Sequence, residues 1–364
     1  MASIHFGSPS DNCPHHIFNN ANIIIAPHLC KTINSSFKSA NFPESWKHAE
    51  VNSLLKKPTA DPFDPKNYRL ISLLPFPAKL IKKIVNSQLS RFLEDSKSLD
   101  TSQSGFRKHR STENALIAAT DDIRTMLDKG ETAALILLDL STAFDTVCHH
   151  SLCTRLPNAG IRDKALDWIS SFLSGRTQSV HLPPFMSESS TIICRVPQGS
   201  SLSPTLFNVY MDSLANIAQT HHIKIISYAD DTQLILSLTK DPTAAKINLH
   251  NRLQAIASWM EASHLNSNTD KTEILIFEAN PSAWNDSWWP SSLGSAPPPT
   301  THARNLGFIL DSTLSMTQQV NAISSSCYNT LCKLRKIFKW IPVKTRKTVT
   351  HTLVSSRLDY GNAL

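Results

Sequence analysis

The chain has 364 residues, 41% of them hydrophobic, which is long enough and apolar enough for one large or two ordinary globular domains and excludes a disordered chain. Lys and Arg total 36 against 29 Asp and Glu, a formal net charge of +7 that suits a polyanionic partner without demanding one. Seven cysteines with no C-x-x-C pair argue for reduced intracellular thiols, and no apolar run or N-terminal leader resembles a membrane span or a signal peptide.

Residues 1–40 are rich in His and Asn and read as a helical or irregular lead-in. His5, Cys13, His15 and His16 lack the spacing of a zinc site. The segment Asn41–Pro65 carries F-P-E-S-W-K and then D-P-F-D-P, whose prolines forbid a regular helix. Leu80–Leu93 is predicted as an amphipathic helix, with Leu80, Ile81, Ile84, Val85, Leu89 and Phe92 on its inner face and Lys82, Lys83 and Arg91 outside. Gln103–Ser111 reads Q-S-G-F-R-K-H-R-S, a basic run before a helix capped by Ser111 or Thr112 that extends to about Asp128 and stops at Gly130.

Ala133–Leu140, A-A-L-I-L-L-D-L, is too short to span a membrane and has the length of a buried strand. It delivers a carboxylate, Asp139, and runs on into S-T-A-F-D. Cys148, His149, His150 and Cys153 follow at a spacing that matches no structural zinc site. Asp163–Leu173 is predicted as a helix with an acidic N-cap, with Trp168, Ile169 and Phe172 inward and Gly175 at its end. Strands over Gly175–Val180 and Thr191–Val196 flank a Pro-Pro loop. Pro197-Gln198-Gly199 then leads to a helix with Ser203 as N-cap and Pro204 at its first position, running to about Leu214.

Ile223–Leu238, I-K-I-I-S-Y-A-D-D-T-Q-L-I-L-S-L, reads as a β-hairpin with Asp230 and Asp231 at its tip. Adjacent acids at a hairpin tip commonly mean only a solvated turn. A buried strand that brings Asp139 beside them makes a cluster of negative charge, and such carboxylates raise one another's pKa unless cations are present. The cation that suits oxygen ligands and phosphate is Mg²⁺, and two such ions serve nucleotidyl transfer. Asp241-Pro242 starts a further capped helix to about Ser263, and Asn268–Phe277 is a turn into a strand with Lys271 at the turn. Glu278–Thr301 is a Pro-, Ser- and Trp-rich loop, Asn305–Leu310 a short strand, and Ser315 to the end two Lys- and Arg-rich helices.

Y-A-D-D at Tyr228–Asp231 and L-D-L-S-T-A-F-D at Leu138–Asp145 resemble a reverse transcriptase of the LINE-type (non-LTR) retrotransposons. N-Y-R-L-I-S-L-L-P at Asn67–Pro75, Q-S-G-F-R at Gln103–Arg107, V-P-Q-G-S-S-L-S-P at Val196–Pro204 and N-T-D-K-T-E within Leu265–Phe277 match the same family in the same order. The resemblance runs from about Phe42 to the C-terminus. It implies an α+β right-hand polymerase fold. After a lead-in over 1–40, the reverse transcriptase domain would span 41–311, with fingers over about 41–130 and a palm over about 131–311. A partial thumb would occupy 312–364.

The resemblance implies Asp139, Asp230 and Asp231 as metal ligands for two Mg²⁺ ions, with Mn²⁺ as a substitute, and Lys271 as a group for the departing pyrophosphate or the triphosphate. It makes Arg107 a triphosphate contact and Phe144 the ring under the nucleotide sugar that selects deoxynucleotides. Gln198 and Gly199 would line the nucleotide pocket, and Asn305–Leu310 the primer grip. The implied partners are an RNA template, a DNA primer and dNTPs, in the nucleus and without a membrane. Cys148 stands where the family often has an acid, and Leu70 where it commonly has proline. With no endonuclease recognisable ahead of this region and an end at L-D-Y-G-N-A-L, the alternative expectation is an inactive or co-opted retroelement fragment that binds RNA. An RNA-templated RNA polymerase would share the acids, but Phe144 disfavours it.

Overall fold

The structure is a computed structural model, and it describes residues 22–364 except 142, 183–184, 197–199, 239–240 and 278–297. In chain order the elements are α1 (Asn22–Ser39), β1 (His48–Leu55), β2 (Tyr68–Leu73), α2 (Phe76–Asp95), α3 (Thr112–Asp128), β3 (Thr132–Leu138) and β4 (Leu140–Ser141). There follow α4 (Ala143–Thr146), α5 (His149–Arg155), α6 (Asp163–Leu173), β5 (Arg176–Leu182), β6 (Phe185–Met186), β7 (Ser190–Ile192), α7 (Ser203–Met211) and α8 (Ser213–Thr220). The last part holds β8 (Lys224–Tyr228), β9 (Asp231–Leu238), α9 (Pro242–Ala262), β10 (Asn266–Ser267), β11 (Glu273–Phe277), β12 (His302–Asn305) and β13 (Phe308–Asp311). Helices α10 (Thr317–Phe338), α11 (Val343–Thr350) and α12 (Ser356–Asp359) complete the chain. No described helix is long and apolar enough to cross a membrane.

The chain divides into two compact units that interleave in sequence. The first holds the described residues of Met1–Asp100, Thr142–Ser213 and Ala262–Leu265. Its sheet has the order β2-β1-β5-β6, with β7 also on β5. β1 is antiparallel to β2 and parallel to β5, so that Val51 stands between Ser72 and Val180. The strands β1 and β2 are not evident in the sequence, because N-S-L-L-K-K and Y-R-L-I-S-L have no clean alternation and prolines lie between them. Phe42 anchors the unit's aromatic core, edge-on to Trp168 at 5.6 Å and to Phe172 at 5.2 Å. The indole N–H of Trp168, which would be costly to bury unpaired, donates to Ser36 Oγ at 2.9 Å.

Lys82 corrects the predicted face of α2. The buried stripe is Ala78, Ile81, Lys82, Leu89 and Leu93, while Phe92 is exposed. Ala78, Lys82, Leu89 and Leu93 fall on one line at i, i+4, i+11 and i+15, so burying the apolar members carries the lysine in with them. Lys82 is 1% exposed, and so is Arg176 on β5. Among the described residues nothing hydrogen-bonds to Lys82 Nζ or to Arg176 Nε and Nη2. Burial, then the Arg176 charge, then Lys79, hold Lys82 well below the ordinary lysine range, and burial lowers Arg176 to about 10. Two predicted caps also shift by one residue: Arg162, not Asp163, flanks α6, and Leu202, not Ser203, flanks α7.

The second unit holds Thr101–Ser141, Leu214–Glu261 and the described part of Asn266–Leu364. Its four-stranded antiparallel sheet has the order β11-β3-β9-β8. β3 is central, and its unbroken apolar run is what a strand covered on both faces requires. Leu135, Ile235, Leu275 and Phe277 pack with Leu116 and Ile123 of α3 and with Phe308 and Leu310 of the β12–β13 hairpin. Each such side chain taken from water contributes about 1.5–3 kcal/mol. α3 starts as predicted, with Ser111 Oγ accepting from the Asn114 N–H, and Gly130 beyond its end has φ +71°.

Candidate active site

Strand register brings the acids together. β3 pairs with β9 up to Leu138 opposite Thr232, so one step further along the ladder Asp139 is level with Asp231. β8 pairs with β9 up to Tyr228 opposite Asp231, which leaves Ala229 and Asp230 as a two-residue turn. The hairpin and its acidic tip are therefore as the sequence predicts. Ala229 has φ +60°, a conformation that costs an alanine about 1 kcal/mol and needs external support.

Gln103 supplies that support. Its Oε1 accepts from the Ala229 N–H at 3.0 Å and from the Gly105 N–H at 2.8 Å, and its Nε2 donates to the Ala229 carbonyl at 3.3 Å. The flanking backbone adds two more bonds, Ser104 N–H to the Ser227 carbonyl and Ser227 N–H to the Ser102 carbonyl. A Cβ on Gly105 would stand 2.1 Å from Ala229 N, so only glycine lets the two segments approach. Q-S-G-F-R is thus a clamp on the acidic turn. Sequence reasoning used only its arginine; the available signal was an amide two residues before a glycine in a matched block.

Asp139 is held at the other end. Its carbonyl accepts from the Asn268 N–H at 2.8 Å, and Lys271 Nζ lies 3.3 Å from its Oδ2. The N-T-D-K-T-E turn is therefore fastened to the end of β3, and it presents Lys271 to the acids. Burial raises the Asp230 carboxyl; Asp139 adds to this, while its own backbone N–H and Lys271 oppose it. Asp231 opens to solvent, yet the protein around it, then Asp230 and Asp139, raise it to about 6. Three neighbouring carboxyls are a hard-oxygen donor set suited to a divalent cation. Among the described residues no three acidic, His or Cys side chains stand close enough to enclose an ion. In chemistry the donors fit a cation, though they are not drawn together around one.

A cleft of 640 Å³ fronts the acids. It is lined by Asp139, Asp231 and Lys271, by Gln233 beneath, and by Asn305–Gly307 of the β12–β13 turn. Arg107 belongs to this unit, and its Nη1 donates to the Gln103 carbonyl at 3.3 Å. Phe144 belongs to the first unit, where it stacks on Phe207 with centroids 4.5 Å apart. Gln198 and Gly199 lie outside the described residues, as does most of the Trp-rich loop.

The family model described as reverse transcriptase (RNA-dependent DNA polymerase) matches residues 55–310. The chain belongs to the reverse transcriptase family. Among curated relatives, the RNA-directed DNA polymerase from mobile element jockey of Drosophila melanogaster is 29% identical over 254 residues, covering 68% of the chain and 27% of the relative. The jockey polymerase of Drosophila funebris is 27% identical over 315 residues, covering 84% of the chain and 33% of the relative. The chain thus spans about a third or less of these relatives' length. Telomerase from Candida tropicalis, solved with a fragment of telomeric RNA, superposes with a TM-score of 0.53 at 13% identity, over 92% of the chain and 57% of that structure. The truncated apo telomerase of the same organism gives 0.51 at 12%, over 80% and 59%. These likenesses show the fold, the α+β right-hand polymerase fold of reverse transcriptases. Divalent metal ions are general to this reverse transcriptase family.

Proposed function

We propose that the chain is an RNA-directed DNA polymerase that adds deoxynucleotides to a primer 3′-hydroxyl on an RNA template. The observation that carries this reading is the register that sets Asp139 level with Asp231 and beside Asp230, in a chain of the reverse transcriptase family. Asp139 and Asp230 are the proposed bridging ligands of two divalent cations, Mg²⁺ or Mn²⁺, and Asp231 the least directly coordinating third. When bound, such ions lower the pKa of the primer hydroxyl and neutralise charge on the triphosphate. The hydroxyl oxygen then forms a bond to the α-phosphorus as the bond to pyrophosphate breaks. Lys271, whose Nζ neighbours Asp139, is the proposed donor of a proton to that pyrophosphate. Arg107, Phe144, Gln198 and Gly199 keep their proposed roles toward triphosphate, sugar and base. Fingers over 41–130, palm over 131–311 and a partial thumb over 312–364 remain the proposed division. A DNA primer makes the nucleus the proposed place of action.

Primer extension tests the reading. The chain is given an RNA template, a DNA primer, dNTPs and Mg²⁺, with Asp230→Asn beside it. Extension that the variant loses is the expected result. No extension, with RNA still shifted in a gel, would overturn it in favour of an inactive RNA-binding copy.

A further inference from the structure

Gln233 is a side chain that the apolar sheet does not explain. It is the third residue of β9, between Leu137 of β3 and Ile226 of β8, and is 1% exposed. An amide there is costly unless something needs it. It is two residues beyond Asp231, hence on the same face of the strand. Asn305 Nδ2, itself buried, donates to Gln233 Oε1 at 2.8 Å. Asn305 opens the two-residue turn of the β12–β13 hairpin, with Leu306 at φ +47° and Gly307 at φ +85°. That turn lines the same cleft as Asp231 and Lys271. From the other side the Tyr360 hydroxyl donates to the Leu306 carbonyl, and Gly361 fits so closely that a Cβ would stand 2.6 Å from Phe308 Cδ2.

We propose that Gln233 is a positioning residue: through Asn305 it sets the place of the 305–308 turn beside Asp231, and so the place of the primer end. The proposal rests on the polymerase reading above. A strand that carries one of the site's acids and a turn that lines the same cleft are joined by one buried hydrogen bond, so a shift of the turn is felt as a shift of substrate against the acids. Gln233 Nε2 has no partner among the described residues and Gln233 lines the cleft, so the amide is oriented by Asn305 rather than by the sheet.

The test compares Gln233→Met, Asn305→Leu, the double variant and Gln233→Glu, which keeps the acceptor. Steady-state extension gives separate KM values for primer–template and for dNTP, and hydrogen exchange reports residues 302–311. Losing one buried hydrogen bond should raise the primer–template KM about 10-fold. The dNTP KM should be unchanged, the double variant no worse than the worse single, and Gln233→Glu close to the native chain. Unchanged primer KM, or parallel loss in every parameter with a lower Tm, would overturn the proposal. Should the native chain extend no primer, the polymerase reading falls by itself. Hydrogen exchange then decides the strut: faster exchange confined to 302–311 in Gln233→Met supports it, and no change rejects it.

Discussion

Each of the two units concentrates charge of one sign, and the contrast separates a site from a liability. In the second unit Asp139, Asp230 and Asp231 crowd at the rim of an open cleft, with Lys271 as a partial counterion. In the first, Lys82 and Arg176 are sealed from solvent, with N–H groups that find no partner among the described residues. Both arrangements oppose folding, because like charges repel and lose hydration. Only the acidic cluster can be relieved by a ligand, since a cation can reach the acids from the cleft. Like charge that is reachable and backed by a dedicated clamp points to chemistry. Like charge that is sealed points to a substitution the fold tolerates.

The contrast breaks first at the acids. Asp139→Asn or Asp230→Asn should lower primer extension by about 10³-fold or more with the fold intact by circular dichroism. Near-native activity in either variant would mean that the cluster is only a solvated turn. Gln103→Leu is expected next. It frees the strained Ala229 turn, and a misplacement of Asp230 by about an ångström costs about 10²-fold in kcat. Gln103→Glu keeps the acceptor for the Ala229 and Gly105 N–H groups and should lose less. Equal losses in the two variants would show that the amide donor, not the acceptor, holds the turn.

The acid-bearing unit was legible because its signals are local. The run A-A-L-I-L-L ends where β3 ends, and Y-A-D-D falls on a turn between two apolar runs that pair with each other. The clamp was not legible, because a buried Gln103 acts on Ala229 across 126 positions. In the first unit, β1 and β2 lack alternation, since the pairing of β1 with both β2 and β5, rather than their own pattern, makes them strands. Lys82 was misplaced because a helical wheel assigns lysine to solvent by type. Its position on the Ala78–Leu93 line dictates burial, and its methylene stem can follow the apolar stripe.

That misplacement gives a stability prediction. Lys82→Met keeps the stem's volume and removes a buried ammonium beside Arg176, so it should stabilise the chain by about 2 kcal/mol in urea unfolding. The charged groups acting on Lys82 are Arg176 and Lys79, both cations. Its folded pKa is therefore below its unfolded value, and the unfolded chain binds the extra proton between the two. Stability contributed at this position should rise with pH toward the unfolded lysine value near 10.4 and fall toward neutrality. Lys82→Met should flatten that slope. A destabilised methionine variant would mean that Lys82 has a partner on folding.

The smallest effect sharpens the contrast from the other side. Asp231 is raised to about 6 in the folded chain, above its unfolded value. The folded chain holds the extra proton, so stability falls as pH rises from about 4 through 6, and the full cost is present at neutral pH. Asp231 is open to solvent, and screening reduces that cost to about 1 kcal/mol or less. In EDTA at pH 7.5, Asp231→Asn should therefore raise Tm by a few degrees at most, about 2–4 °C per kcal/mol. Excess Mg²⁺ should raise the native chain's Tm and erase or reverse the difference, because a cation in the cleft offsets the repulsion that asparagine removes. Lys82→Met should gain equally with and without Mg²⁺. If Mg²⁺ left the native Tm unchanged while Asp231→Asn stabilised the chain, the acids would be as uncompensated as Lys82 and Arg176, and the distinction between the two clusters would fail.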